Sequence, residues 1–156
     1  MTPQELEEYR QLRATVRERG TQRIWVFVAG LTGWAGLTVA TAALAPLPVA
    51  TLLPLLVLAA VFEAVFSLHT GVERIGRYIQ VFFEKGDSEP GWEHRIMAYG
   101  RMFPGGPGTV DALFTSHFLL AAFLNFVPVI LAGPLPVEYG VVGAIHLLFA
   151  VRLVAA

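Results

Sequence analysis

The chain has 156 residues, 55% of them hydrophobic and only 15% charged, with a mean hydropathy of +0.61 and a formal net charge of −1. This balance argues against an electrostatically driven nucleic-acid partner, and the absence of cysteine excludes disulfides, thiolate metal centres and a cysteine nucleophile. In charge terms only Glu63 interrupts the 49 residues 24–72, and only Glu138 interrupts the 40 residues 112–151. Such runs suit hydrocarbon, because an ionised side chain at the bilayer centre costs about 2.5 to 3.5 kcal/mol on insertion scales. The pattern predicts an all-α integral membrane protein, a single domain of four transmembrane helices in two hairpins.

At the N-terminus, Thr2-Pro3-Gln4-Glu5 has capping-box spacing with proline at the first helical position. The helix it predicts ends at Gly20, with Leu6, Tyr9, Leu12 and Val16 along one side and arginines and glutamates on the rest. Residues 1–23 therefore read as a cytoplasmic amphipathic helix that lies on the membrane or packs on the central loop. Acids interleaved with its arginines disfavour a basic target-binding helix.

The first span is predicted at 24–45. Ala43-Leu44-Ala45 resembles a signal-peptidase site, but the run exceeds the ~7 to 15 residues of a signal h-region and is preceded by acids as well as arginines, so it reads as a retained span. Ala29 and Gly33, and Thr32, Gly36 and Ala40, recur at four-residue spacing. Such faces allow close helix approach within the bundle or against a second copy, with Trp34 on the opposite, lipid-facing side.

The second span, 50–72, follows a Pro-Leu-Pro-Val turn at 46–49 that recurs at 134–137. The repeat fits either an internal duplication of one hairpin or two convenient tight connections. Helix-compatible sequence continues to about residue 84, roughly 51 Å at 1.5 Å per residue. That exceeds a ~30 Å core, and the long second helix is expected to extend into the cytoplasm.

The segment Glu73-Arg74-Ile75-Gly76-Arg77, with Glu84 seven residues beyond Arg77, resembles the Glu-Arg-x-x-Arg signature of the four-helix glutathione-using membrane enzymes of eicosanoid metabolism. The resemblance implies a glutathione-using membrane enzyme. It covers about a dozen residues, lacks the asparagine that the family signature also carries, and trails into a polar loop. By their own chemistry Arg74 and Arg77 read as headgroup anchors of the helix end.

In the cytoplasmic loop, 85–111, Trp92, Ile96, Tyr99 and Phe103 follow helical spacing after Pro90. They predict an interfacial helix with Trp92 and Tyr99 as anchors. Asp87, Glu89 and Glu93 read as hydrated loop acids. The glycine-rich stretch 104–109 lacks the ending of a phosphate loop and reads as a turn, with Thr109 or Asp111 capping the third span. That span, 112–132, carries Pro128, where a kink is expected; the fourth covers 138–155. All eleven basic residues fall outside the two proline hairpins, on one side of this arrangement. The positive-inside rule then places both termini and the central loop in the cytoplasm, as in a bacterial inner membrane.

Polar groups inside the spans are the functional candidates. Counting 1.5 Å per residue from the cytoplasmic ends puts Glu63 about 13 Å deep, His146 about 9 to 13 Å and Asn125 near 18 Å. Glu63 and His146 are expected to meet, with Asn125 joining through water, as a proton or cation site or as a hydrogen bond that fixes helix register. Nearer the cytoplasm, His69 and His117 with Glu73 form a candidate tetrapyrrole or metal site, or else two interfacial histidines bonded to loops or headgroups. Adjacent helical residues point about 100° apart, which excludes Ser116 and His117 as a catalytic pair.

No cofactor is required by the sequence. The preferred reading is a non-catalytic accessory subunit whose partners are the lipid bilayer and either further copies of itself or other membrane subunits. A proton or cation conduit through Glu63 and His146, and a ligand-binding or enzymatic bundle, are the alternatives.

Overall fold

The computed structural model describes residues 1–45, 47–84, 91–102, 110–133 and 135–156, with nothing described of the side chains of Val110 and Asp111. Among these residues there is no strand, and the elements are α1 (Pro3–Leu44), a 3-10 turn (Pro48–Thr51), α2 (Leu52–Phe82), α3 (Trp92–Met102), α4 (Val110–Leu131) and α5 (Pro136–Val154). Four helical stretches are long and apolar enough to cross a membrane: Pro3–Leu44, Pro48–Phe82, Ala112–Leu131 and Pro136–Val154. The chain is thus an all-helical, multi-pass membrane protein.

The start of α1 follows its sequence, with the Thr2 amide donating to Glu5 Oε2 at 2.6 Å and the Glu5 amide to Thr2 Oγ1 at 3.2 Å. Its end does not, because the helix runs unbroken through Gly20 for 42 residues. An interior glycine costs only about 1 kcal/mol relative to alanine, too little to stop a helix whose neighbours Arg19, Thr21, Gln22 and Arg23 all continue it. The expected amphipathic helix and first span are therefore one element. α2 and α3 fall close to their predicted places, and α4 continues three residues past Pro128. The expected roles of Phe103, Asp87, Glu89, Thr109, the 104–109 turn and the Asp111 side chain lie outside the described residues.

Two compact units are distinguishable, Met1–Trp25 with Val65–Val110, and Val26–Ala64 with Asp111–Ala156. In the first, Tyr9, Tyr78 and Phe83 form a ring cluster, with centroids 5.8 Å apart for Tyr9 and Phe83 and 6.0 Å for Tyr78 and Phe83. The Tyr78 hydroxyl donates to Glu8 at 2.9 Å.

The second unit is an apolar helical core. Phe118 sits at its centre, its ring 5.6 Å from that of Phe27 and 5.2 Å from that of Phe62, and Phe62 in turn meets Phe149 at 6.2 Å. Leu58, Val129, Val142 and Leu153 are buried around them. Outside, Leu56, Leu120, Phe123, Ile130, Leu147, Leu148 and Val151 are exposed. A water-soluble monomer does not display apolar surface on that scale, whereas lipid chains solvate it.

Trp34 corrects its lipid-facing assignment, since it is buried in this core. The small-residue rows do not pack within the bundle: Ala29, Thr32, Gly33 and Gly36 are exposed, and a Cβ at Gly33 or Gly36 would meet nothing within 4 Å. The close approach of α1 to α2 occurs instead at Gly30, where an added Cβ would collide with the Val61 side chain. An indole prefers the interior here because it has a hydrogen-bond acceptor there.

Candidate functional site

Asn125 of α4, 0% exposed, is the polar centre of the second unit. Its Oδ1 accepts from Trp34 Nε1 at 3.2 Å and from the Thr38 hydroxyl at 3.3 Å. Its Nδ2 donates to the Thr51 carbonyl at 2.9 Å and to His146 Nε2 at 3.0 Å. Partner chemistry fixes the amide orientation, because an indole N–H can only donate and a carbonyl can only accept. Three bonding positions of the amide are engaged outright, and the fourth shares the single Thr38 hydroxyl proton with the Trp34 carbonyl, which is 2.9 Å from that hydroxyl.

The partners come from three elements other than α4. Trp34 and Thr38 are four apart on α1 and so share a face; Thr51 closes the 3-10 turn that opens α2; His146 is on α5. His146 Nδ1 lies 2.8 Å from the Val142 carbonyl and must donate to it. Its Nε2 is therefore the acceptor for Asn125, and in this arrangement the imidazole is neutral. Phe126 stacks edge-on against the His146 ring at 5.0 Å and against Tyr139 at 5.6 Å.

Glu63 and His146, expected to meet, are not partners. The Glu63 carboxylate is gripped by Arg152 of α5, Nε to Oε1 at 2.8 Å and a terminal guanidinium nitrogen to Oε2 at 2.9 Å, with the two side chains 52% and 39% exposed. The Arg152 guanidinium also lies 5.3 Å from the centre of the Phe62 ring. Charge pairing wins over depth matching here: a carboxylate in an apolar run gains far more from a bidentate guanidinium than from a neutral imidazole.

Open spaces adjoin this core. A recess of about 230 Å³ lies among Thr41, Ala45, Leu47, Thr51, Pro128 and Leu131, and a shallower groove of about 280 Å³ runs between α4 and α5, lined by Ala122, Phe126, Gly143, His146 and Ala150. Both are predominantly apolar. At the head of α5, Glu138 accepts the Leu135 amide at 3.1 Å and so caps the helix.

The candidate ligand residues are each engaged locally. His69 Nδ1 lies 2.8 Å from an Arg23 guanidinium nitrogen and its Nε2 lies 3.7 Å from Glu73. His117 donates from Nδ1 to the Leu113 carbonyl at 2.7 Å and meets the Phe27 ring edge-on at 5.9 Å. Among the described residues no group of three or more His, Asp or Glu is gathered closely enough to hold a metal ion. Arg74, Arg77, Trp92 and Tyr99 are exposed.

A second polar cluster, in the first unit, escaped the sequence. Glu93, expected in a loop, lies in α3 and pairs with Arg13 of α1. Glu84, just past the end of α2 with its side chain only 6% exposed, accepts the Glu93 amide at 3.1 Å, the His94 amide at 3.2 Å and the His94 ring at 3.0 Å, with Arg13 at 3.6 Å. It caps α3 from another element, where amides and helix dipole both favour an anion. Burial pushes the Glu84 carboxyl up, but the Glu93 amide and the ring and amide of His94 outweigh it and hold the group below its ordinary value. Two glycines permit the approach. A Cβ at Gly91 would strike the Glu84 carboxyl, and one at Gly76 would come within 3.1 Å of Glu93 Oε2.

Comparison with protein-family models, with curated proteins and with solved structures finds no match to this chain.

Proposed function

We propose that this chain is a non-catalytic packing subunit of a homo-oligomer or a larger membrane complex, set in an inner membrane with both termini and the α2–α3 connection in the cytoplasm. The observation that carries the reading is the engagement of the Asn125 amide by partners from the other three spans, three of its bonds being full and one shared. A transport or catalytic site needs a polar group with a bonding position left for substrate, ion or water. At this centre the amide is committed to Trp34, Thr38, Thr51 and His146. Such a network is suited to locking the register of four helices, the best-attested use of a polar group among apolar ones.

The conduit reading asked Glu63 and His146 to share a pathway, but they are held by Arg152 and Asn125 respectively. The orientation rests on the arginines, none of which falls in the proline hairpins.

Extraction from the native membrane in mild detergent, followed by mass determination and identification of what remains attached, tests the function. Stable copies of this chain or stoichiometric membrane partners are expected. A monomer that retains nothing, or purified protein that carries a pH-driven flux in liposomes abolished by Glu63→Gln, would overturn it.

A further inference from the structure

We propose that a second copy of this chain covers the α2–α5 face around Glu63 and Arg152, so that two such pairs close into one ring of four alternating charges. The inference deepens the packing-subunit reading and rests on it. Glu63 is the single ionised residue in a 49-residue apolar run, yet half its side chain is on the surface of the second unit. Around it the exposed surface is apolar or small: Leu56 and Ala60 precede it by about two turns and one on α2, and Ile145 and Leu148 precede Arg152 at the same intervals on α5. On the side of the residues that precede them, Glu63 and Arg152 thus border a surface made for lipid or for another helix.

A carboxylate taken out of water recovers its desolvation cost only when its remaining lone pairs are also satisfied. The carboxylate has about four lone-pair sites, and the two bonds from Arg152 leave room for a further cationic donor. A Glu–Arg pair lying side by side is its own complement. Rotation by 180° about an axis normal to the membrane keeps every group at its depth and sets Glu63 of one copy opposite Arg152 of the other. That is the isologous contact closed dimers use, and Ala60 offers the small side chain that lets helices approach. A lipid headgroup carries no such matched pair at two fixed positions, and the surrounding Leu56, Ile145 and Leu148 would remain uncovered by it.

The test co-expresses two differently tagged full-length chains and measures co-purification in mild detergent. Glu63→Arg alone and Arg152→Glu alone each place like charges across the axis, and each is expected to lose about tenfold or more in self-association, the equivalent of ~1.4 kcal/mol. Co-expressed, the two variants restore opposite charges across the interface and are expected to recover as a mixed dimer. The chain has no cysteine, so Ala60→Cys in one copy and Leu148→Cys in the other should form an inter-copy disulfide. Where the charge-reversed chains do not fold, the neutral Glu63→Gln, Arg152→Gln double variant carries the same test, with weaker association from a chain of unchanged helicity.

Self-association that ignores all these changes, or a mixed pair no better than either variant alone, overturns the proposal. A wild-type chain that retains other membrane subunits but never a second copy also overturns it while leaving the packing-subunit reading standing. A wild-type chain that retains neither removes both.

Discussion

Replacing Asn125 by leucine is the sharpest test of the polar centre, because it keeps the number and branching of the side-chain heavy atoms and removes every hydrogen bond at once. Three full bonds are lost, to Trp34, Thr51 and His146, together with the one for which Thr38 shares its proton. At the ~0.6 kcal/mol average measured for interhelical bonds in a membrane protein, they set a floor near 2 kcal/mol. The stranded partners raise it. The Trp34 N–H and His146 Nε2 lose the Asn125 partner, whereas the Thr51 carbonyl keeps the first backbone bond of α2, and a buried unsatisfied group costs about 1 to 3 kcal/mol. Thr38 is spared, since its hydroxyl also donates to the Trp34 carbonyl at 2.9 Å. A loss of roughly 2 to 5 kcal/mol in unfolding free energy is therefore expected.

Reversible unfolding by SDS in mixed micelles, followed by circular dichroism, provides the measurement. Thr38→Ala is the internal control and should cost no more than about 0.6 kcal/mol. A double-mutant cycle of Asn125→Leu with Trp34→Phe should return a coupling of about 0.6 to 1.7 kcal/mol, the range seen for membrane pairs. Asn125→Leu within about 0.5 kcal/mol of wild type, the scatter of an inconsequential surface change, would refute the network as a stabilising centre.

Three further outcomes follow from other parts of the molecule. The native Glu84 carboxyl titrates below its unfolded counterpart. The stability it gives to α3 is therefore complete above the unfolded value of about 4.3 and is lost as acid lowers the pH through the native value. Protection of the Glu93 and His94 amides from hydrogen exchange should fall with acid in wild type, and should already be reduced, without that acid limb, in Glu84→Gln. Gly30→Ala should destabilise by about 1 to 3 kcal/mol through collision with the stiff Val61 side chain, whereas Gly33→Ala and Gly36→Ala should leave stability unchanged or raise it by up to about 1 kcal/mol; equal effects at the three positions would remove the α1–α2 contact. A cysteine placed at Leu47, which is exposed in the first hairpin, should react with an impermeant thiol reagent added outside intact cells, and protection there would reverse the proposed orientation.

The helices were legible because membrane solvation writes them as long uncharged runs, and hairpin prolines and caps punctuate those runs strongly. Gly20 misled because a single glycine is a weak stop when no proline or turn residue reinforces it. Trp34 misled for a different reason: aromatic bulk suggests lipid, but the indole N–H needs an acceptor, and Asn125 is 91 residues away in sequence. Sequence spacing does set Trp34 beside Thr38 on one helical face, a signal that a polar partner faced them. It carries no information about which helix supplies that partner. The same holds for Glu84, whose role depends on α3 folding back to present its first amides and on Gly91 leaving space for the carboxyl.

Depth counting identified the polar residues of the second unit and mispaired them, and the reason bears on function. Counting sets Glu63 and His146 at one depth, with Asn125 a little further out, and reads them as one polar group. Chemistry sorts them by what each must satisfy: the carboxylate takes the guanidinium, and the neutral imidazole and amide take each other. The sorting leaves a buried, neutral centre at Asn125 and a charged, half-exposed pair at Glu63 and Arg152. A neutral centre can specify register without the desolvation cost that ions would bring to the same place. A charged pair at the surface contributes little to the fold that a pair of leucines would not, so its value lies in what it discriminates outside. Internal packing therefore depends on Asn125 and recognition on Glu63 with Arg152, and the two functions are separable by mutation: Asn125→Leu should weaken folding before association, and Glu63→Arg association before folding.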